Sequence, residues 1–135
     1  MRLLKSQGLS AELLQMVFTS LILTKLLYCS PAWWGFLRAP ERDRLEGFMR
    51  RSKRTGFCPP NHPSVAELCQ RADQTLFESI ISNPEHVLYK LLPPKTSHGY
   101  NLRKRQHDFV IPSKKHHSAD FSRNFIIRML FENSY

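Results

Sequence analysis

Apolar and polar residues follow one another along most of this chain with the spacing of amphipathic helices. Apolar side chains that recur every three to four residues lie on one side of a helix. Proline, glycine and capping residues separate the periodic stretches and mark where helices begin and end. The pattern predicts helices at about 11–28, 40–54, 65–82, 85–92 and 122–132. The expected fold class is mostly α: a small helical domain of about five helices, with a basic, largely irregular stretch before the last helix.

The first predicted helix is more apolar than a surface helix needs to be. Ser10 suits its N-cap, and Glu12 favours the first turn through the helix dipole. Phe18, Ile22 and Leu23 widen its apolar stripe, so we expect the helix to be buried on several sides. The residues with helical spacing along the stripe are Leu13, Met16, Val17, Leu21, Thr24 and Tyr28.

Both tryptophans, Trp33 and Trp34, lie just after this helix. Pro31 disfavours helical geometry at Ser30, so we expect the helix to end at about Tyr28. The favoured interpretation of the tryptophans is core packing, because aromatic side chains of this size dominate the core that they enter. The alternative is a platform on which nucleic-acid bases stack.

The next two helices have clear boundary signals. Pro40 suits the first helical turn and Gly56 suits a C-terminal cap. Ser64 and Glu67 form a capping box before the third helix, and Asn83-Pro84 ends that helix. The apolar residues expected in the core are Leu45, Phe48 and Met49, then Val65, Leu68, Cys69, Ala72, Leu76, Phe77, Ile80 and Ile81, and finally Phe125, Ile126, Met129 and Leu130.

The positive charge of the chain is concentrated in two stretches. The formal net charge is +9, to which residues 38–54 contribute +4 and residues 95–117 contribute +5. Localised positive charge is typical of proteins that bind a polyanion, and the alternative is a solvated surface. We predict contacts with the RNA or DNA backbone, with low sequence specificity. The candidate nucleic-acid-binding residues are Arg50, Arg51, Lys53, Arg54, Arg103, Lys104, Arg105, Lys114 and Lys115.

The sequence contains no recognisable catalytic constellation. Its isolated aspartates offer no carboxylate pair for two-metal chemistry. Cys58, His62 and Cys69 come nearest to a metal site, but their spacing matches neither a zinc finger nor a zinc knuckle. We therefore expect no catalytic residue, no metal and no cofactor. The isolated aspartates are Asp43, Asp73, Asp108 and Asp120.

Three cysteines without tight spacing favour a reduced, intracellular protein, either cytoplasmic or nuclear. The uncharged run 13–24 is 12 residues long, which is too short to span a bilayer. We therefore expect no membrane partner.

Six segments, in order along nearly the whole chain, resemble one family. They are LLYCSPAWWG at 26–35, RRSKRTG at 50–56, LFESI at 76–80, HVLYKLLPP at 86–94, YNLRKR at 100–105 and FIIRML at 125–130. This ordered set resembles the C-terminal region of RNA-directed DNA polymerases from non-LTR retrotransposons of the jockey-like and LINE types.

The resemblance implies the thumb of a reverse transcriptase and the region beyond it. Residues 1–94 would form a helical thumb-like region, 95–119 a basic irregular segment and 120–135 a C-terminal helix, in one domain overall. The palm, with its catalytic aspartates, and the fingers are not in this chain, so the resemblance implies a fragment without polymerase chemistry. An upstream polymerase palm, now missing, would be a former partner, and Met1 would be internal to a longer or decayed reading frame.

Two other hypotheses remain open. One is a small helical protein–protein interaction module whose basic loop is solvated. The other is a non-functional pseudogene product.

Overall fold

The fold is described by a computed structural model that covers residues 1–96, 107–112 and 119–134, with the backbone alone at 119 and 120. The structure is 66% helical over the described residues, which confirms the mostly α fold class. Within these ranges the only β pairing is an isolated antiparallel bridge between Lys95 and Phe109, and there is no strand.

Helices in the described ranges are named in chain order. They are α1 (Arg2–Ser6), α2 (Ala11–Leu27), α3 (Ser30–Phe36), α4 (Ala39–Arg54), α5 (Val65–Ser82), α6 (Ala119–Arg123) and α7 (Phe125–Glu132). A 3₁₀ turn occupies Tyr89–Leu91, and the last three residues of α3, Trp34–Phe36, are also 3₁₀.

The chain divides into two compact units. The first consists of Met1–Ser30 and Leu37–Gln70, and the second consists of Pro31–Phe36 and the chain from Arg71 onward. Helix α5 therefore contributes its first residues to one unit and its remainder to the other. These limits differ from the compositional boundaries expected at residues 94 and 119, and the single-domain organisation stays a prediction.

Helix α2 begins at the predicted cap and ends one residue before the predicted end. The Ser10 hydroxyl accepts a hydrogen bond from the Leu13 amide at 3.4 Å, which confirms the N-cap. Cys29 follows with a φ of 51°, a left-handed conformation that no helix continues through. The predicted cause of this ending was wrong. Pro31 does not exclude Ser30 from a helix, because Ser30 opens α3 and Pro31 lies in its first turn, where a missing amide proton costs little.

The buried side of α2 is not the one that the pattern predicted. Leu14, Phe18 and Leu23 are buried, and a π-helical segment at Phe18–Leu23 brings the last two onto one side through its wider turn. The expectation of burial on several sides is therefore wrong. Five of the six residues predicted to form the stripe are exposed, namely Leu13, Met16, Leu21, Thr24 and Tyr28.

Helix α4 packs through a narrow apolar side in the first unit. Met49 is buried, and the Phe48 ring stacks on Phe18 with centroids 5.9 Å apart. The C-terminus of α4 is a Schellman motif around Gly56, whose φ is +79°: the Gly56 amide donates to Lys53 at 3.1 Å and the next amide donates to Ser52 at 2.9 Å. The predicted glycine cap is thus confirmed.

Two side chains join α4 to its neighbours. Lys5 of α1, a helix that the pattern did not predict, donates from Nζ to the Thr55 carbonyl at 3.1 Å, where a cation also suits the helix dipole. Glu46, which could pair with Arg50 by its spacing, accepts the Ala66 amide at 3.0 Å, at the start of α5. These contacts hold α4 at its C-terminus and near its middle.

The capping box of α5 forms as the sequence predicts. The Ser64 hydroxyl accepts the Glu67 amide at 3.1 Å, and the Glu67 carboxylate accepts the Ser64 amide at 2.8 Å. The predicted apolar side is buried at four of its eight positions, and the other four are partly buried. Asp73 is buried on the same side, which the pattern did not predict.

Two predicted helices differ from the structure. The helix expected at 85–92 is replaced by turns. The Asn83 carboxamide accepts the Glu85 amide, and the His86 ring accepts the Leu88 amide. Side chains that bind nearby backbone amides in this way compete with the hydrogen bonds of a helix. The last helix is broken at Asn124, which caps α7 by accepting the Ile126 amide at 3.1 Å. The predicted apolar side of α7 is confirmed, since all four of its residues are buried.

The second unit is centred on aromatic and aliphatic side chains of α5 and α7. His107 is buried among them: its Nε2 lies 2.9 Å from the Leu130 carbonyl, and its Nδ1 accepts the Phe109 amide at 3.2 Å. Since Nδ1 accepts, Nε2 is the ring nitrogen that donates to the Leu130 carbonyl. The core residues are Phe77, Ile80, Phe109, Phe125, Ile126, Met129 and Leu130.

The predicted core packing of the tryptophan pair is confirmed for one of the two side chains. Trp34 is buried, and Trp33 is half-buried and meets it edge to face, with ring centroids 6.1 Å apart. Gly35 comes so close to α6 that a Cβ added to it would lie 2.2 Å from the Arg123 carbonyl oxygen. Only glycine fits there, and this approach determines where the tryptophans enter the second unit.

The buried carboxylate of the second unit is held by one arginine. The Arg128 guanidinium donates to Asp73 Oδ2 at 2.6 Å, while Asp73 Oδ1 has no hydrogen-bond partner among the described residues. Burial raises the pKa of the Asp73 carboxyl above its usual value of 3.8, and the hydrogen bond and charge of Arg128 only partly oppose this. The pair therefore fixes the position of α7 at an electrostatic cost, as buried ion pairs often do.

Gly35→Ala should destabilise the second unit by about 3 kcal/mol, at the upper end of the usual cost of overpacking, because backbone atoms cannot move aside like a flexible side chain. Gly47→Ala is the control, since an added methyl group there meets only arginine side-chain ends. Urea unfolding monitored by tryptophan fluorescence measures both. An equal, small effect of the two substitutions would contradict the close approach at Gly35.

Asp73→Asn should make unfolding less dependent on pH. Because the folded-state pKa is raised, the native protein holds this proton to higher pH than the unfolded chain. This contribution to stability is complete below 3.8 and is lost as pH rises to the raised value. Wild-type protein should therefore lose stability relative to Asp73→Asn as pH rises from 3.8 through the raised folded-state pKa. Parallel urea-unfolding free energies would contradict this, and Asp108→Asn, at an exposed carboxyl, is the control.

Candidate nucleic-acid interface

The four candidate residues near the end of α4 fall into two groups. Arg50, Arg51 and Arg54 are exposed, whereas Lys53 is half-buried. Lys53 Nζ donates to the His62 carbonyl at 2.5 Å and so holds the loop between α4 and α5. The arginines are therefore presented to solvent by the helix, while the lysine also has a structural contact.

An open surface groove of about 440 Å³ runs along the exposed side of α4. Residues in an α-helix are spaced by about 100°, which puts the groove roughly opposite the buried Met49. The packing of α4 thus directs the groove outward. The residues that line it are Pro40, Asp43, Arg44, Gly47, Arg50 and Arg51.

Two guanidinium groups converge over Gly47 in the middle of this groove. A Cβ built on Gly47 would lie 3.4 Å from Arg51 Nη1 and 3.8 Å from Arg50 Nη2. Guanidinium groups bind phosphate oxygens through paired, planar donors, so this arrangement suits an anion with several oxygens. Three arginines and one exposed carboxylate line the groove, so its net charge is positive.

Arg44 was not among the predicted candidates, although it lines the groove with Arg50 and Arg51. It precedes Arg51 by seven residues, two turns of a helix, so the two share one side of α4. That spacing was available in the sequence. The prediction from local charge density selected the four basic residues in the last turns of α4 and left out Arg44, which lies between acidic residues in the sequence.

The remaining candidates lie outside the residues that the structure describes. This applies to Arg103, Lys104, Arg105, Lys114 and Lys115, which stay predictions. The interface described here therefore consists of α4 alone.

The cysteines of the first unit do not form a metal site with His62. Cys58 and Cys69 are buried and form no disulfide, and His62 Nδ1 lies 3.2 Å from the Pro63 carbonyl. Burial raises the pKa of the Cys58 thiol, with Lys53 opposing this, so the thiolate that a metal needs is disfavoured. Across the described ranges, no three histidine, cysteine or acidic residues are grouped closely enough to hold a metal ion.

A second surface of the first unit is apolar. Leu13, Met16 and Leu21 on α2 are 48%, 65% and 63% exposed, and Leu3 on α1 is 71% exposed. In the part of the chain described, no single helix is long and apolar enough to cross a bilayer, although α2 and α3 taken together meet the requirements of length and composition.

Comparison with known proteins identifies no family for this chain. No protein-family model, curated protein or solved structure matches this chain. The likeness to non-LTR reverse transcriptases therefore stays a prediction from the sequence segments that carry it.

Proposed function

We propose that this protein binds the phosphate backbone of RNA or DNA, with low sequence specificity, through the groove of α4. The observation that carries the proposal is the convergence of Arg50 and Arg51 over Gly47, with Arg44 on the same side. Backbone phosphates carry no base identity, so a site built only from guanidinium groups discriminates little between sequences.

The helix lowers the entropic cost of this binding. Arg44, Arg50 and Arg51 belong to one helix whose rotation is set by the buried Met49 and by the stacking of Phe48, so their backbones lose no freedom when a ligand binds. Arginines on a flexible segment would have to be ordered first. This makes α4 the primary contact among the candidate residues in the described ranges.

The wider identity that we propose rests on the sequence resemblance. It is a non-catalytic C-terminal fragment of a non-LTR retrotransposon reverse transcriptase, thumb-like and intracellular, either in the cytoplasm or in the nucleus. Residues 1–135 hold no palm segment, so the binding that we propose for them involves no nucleotide transfer. No cofactor and no membrane enter this function.

A second candidate function is a protein–protein interaction module. The exposed apolar residues of α2, above all Met16 and Leu21, favour it, because side chains of that size gain from being covered. An upstream polymerase palm is the partner that the resemblance suggests. A pseudogene product without function is the remaining alternative, and detection of the protein in cells bears on it.

Replacing Arg50 and Arg51 by glutamine should weaken binding of a mixed-sequence oligonucleotide and flatten its salt dependence. Each phosphate contact contributes roughly −0.7 to the slope of log K against log salt for a single strand and roughly −0.9 for a duplex. Loss of two contacts should therefore flatten the slope by about 1.4 or about 1.8, respectively. Fluorescence anisotropy titrations at four salt concentrations measure this.

The matched control removes the same charge elsewhere. Arg2 and Lys25 are exposed residues of the first unit that do not line the groove, so Arg2→Gln with Lys25→Gln should leave most of the slope intact. If both double variants lower affinity and slope equally, the charge acts diffusely and the groove is not the binding site. Variants that bind as wild-type protein does would favour the protein-interaction module.

A further inference from the structure

The fold does not require a glycine at position 47. It lies inside α4, where glycine weakens a helix relative to alanine. Gly8 and Gly56 have positive φ angles, and Gly35 meets a backbone carbonyl, so each needs glycine for a geometric reason. At Gly47 an added methyl group would meet only the ends of two flexible arginine side chains, at ordinary contact distance.

The space that Gly47 leaves empty lies beside two of the three arginines that line the groove. Arg50 and Arg51 bring their guanidinium groups to within 3.8 Å of the position of the absent Cβ. Two guanidinium groups that approach the same point repel each other. An anion bound between them attracts both groups and so offsets their repulsion. A side chain at position 47 would occupy the place where such an anion contacts both groups at once.

We propose that Gly47 is the floor of a discrete phosphate subsite, in which one backbone phosphodiester of RNA or DNA lies over the glycine and accepts hydrogen bonds from Arg50 and Arg51. This rests on the proposed function and sharpens it, since diffuse electrostatic attraction would need no gap in the helix surface. Arg44, further along the same side, is placed for a neighbouring phosphate. Asp43 lines the groove as well and opposes an anion there.

The subsite is tested by adding side-chain bulk at position 47 while leaving the charge unchanged. Oligonucleotide affinity should fall in the order Gly, Ala, Leu, with Gly47→Leu weakening binding roughly tenfold, as for one lost charge-assisted hydrogen bond. The urea midpoint should not fall with Gly47→Ala, because alanine favours the helix. Stability and affinity therefore move in opposite directions, which a merely damaged fold would not produce. Asp43→Asn should bind more tightly than wild-type protein.

Two controls separate steric blocking from other effects. Ala39→Leu adds the same side chain at an exposed position of α4 that does not line the groove, and its affinity should match that of wild-type protein. In a background of Arg50→Gln and Arg51→Gln, Gly47→Leu should cost no further affinity, because the contacts that it blocks are already lost. If Gly47→Leu is unstable in urea, Gly47→Ala decides.

The outcomes distinguish this inference from the proposed function. If Gly47→Ala and Gly47→Leu bind as wild-type protein does while the arginine variant is weakened, the subsite is wrong and the groove still binds nucleic acid. If the arginine variant also equals its Arg2 and Lys25 control, the proposed function fails as well.

A parallel assay uses phosphatidylcholine vesicles that contain phosphatidylserine. Loss of vesicle binding in Gly47→Leu, with oligonucleotide binding unchanged, would assign the site to a lipid headgroup and overturn the proposal.

Discussion

The rotation of α4 about its own axis is the constraint on which the candidate interface depends. The apolar side of this helix is narrow, and it is fixed by the burial of Met49 and by the stacking of Phe48 on Phe18. Since residues in a helix turn by about 100° each, fixing one side also fixes the opposite side. The groove that contains Gly47 is therefore a consequence of core packing, and the Schellman motif at Gly56 ends the helix just beyond it.

The second unit depends on a different kind of constraint, the close approach of backbone to backbone. Gly35 leaves no room for a side chain beside the Arg123 carbonyl, and a buried pair of Asp73 and Arg128 holds α7 in the same unit. His107 adds two hydrogen bonds to backbone groups from within the core. Polar groups that are buried in this way cost stability when unpaired, so they tolerate few alternative arrangements of the helices.

The two surfaces of the first unit favour different functions. The groove of α4 offers guanidinium groups to an anion, whereas α2 exposes apolar side chains such as Met16 and Leu21. In a longer polymerase both would have a use, since a thumb both contacts nucleic acid and packs against the rest of the enzyme. The two surfaces are therefore compatible with the origin that we propose from the sequence resemblance, a reverse transcriptase thumb.

The sequence by itself determined the features that depend on local chemistry: the Ser10 cap, the capping box of Ser64, the glycine that ends α4 and the apolar side of α7. Such signals involve residues a few positions apart, so no knowledge of the fold is needed to find them. Only the tertiary structure decided which side of α2 is buried, because a π-helical segment changes the spacing of its apolar residues. It also decided that Lys53 is held by the His62 carbonyl, because that contact depends on how the loop after α4 folds back onto the helix, which no spacing of residues reveals.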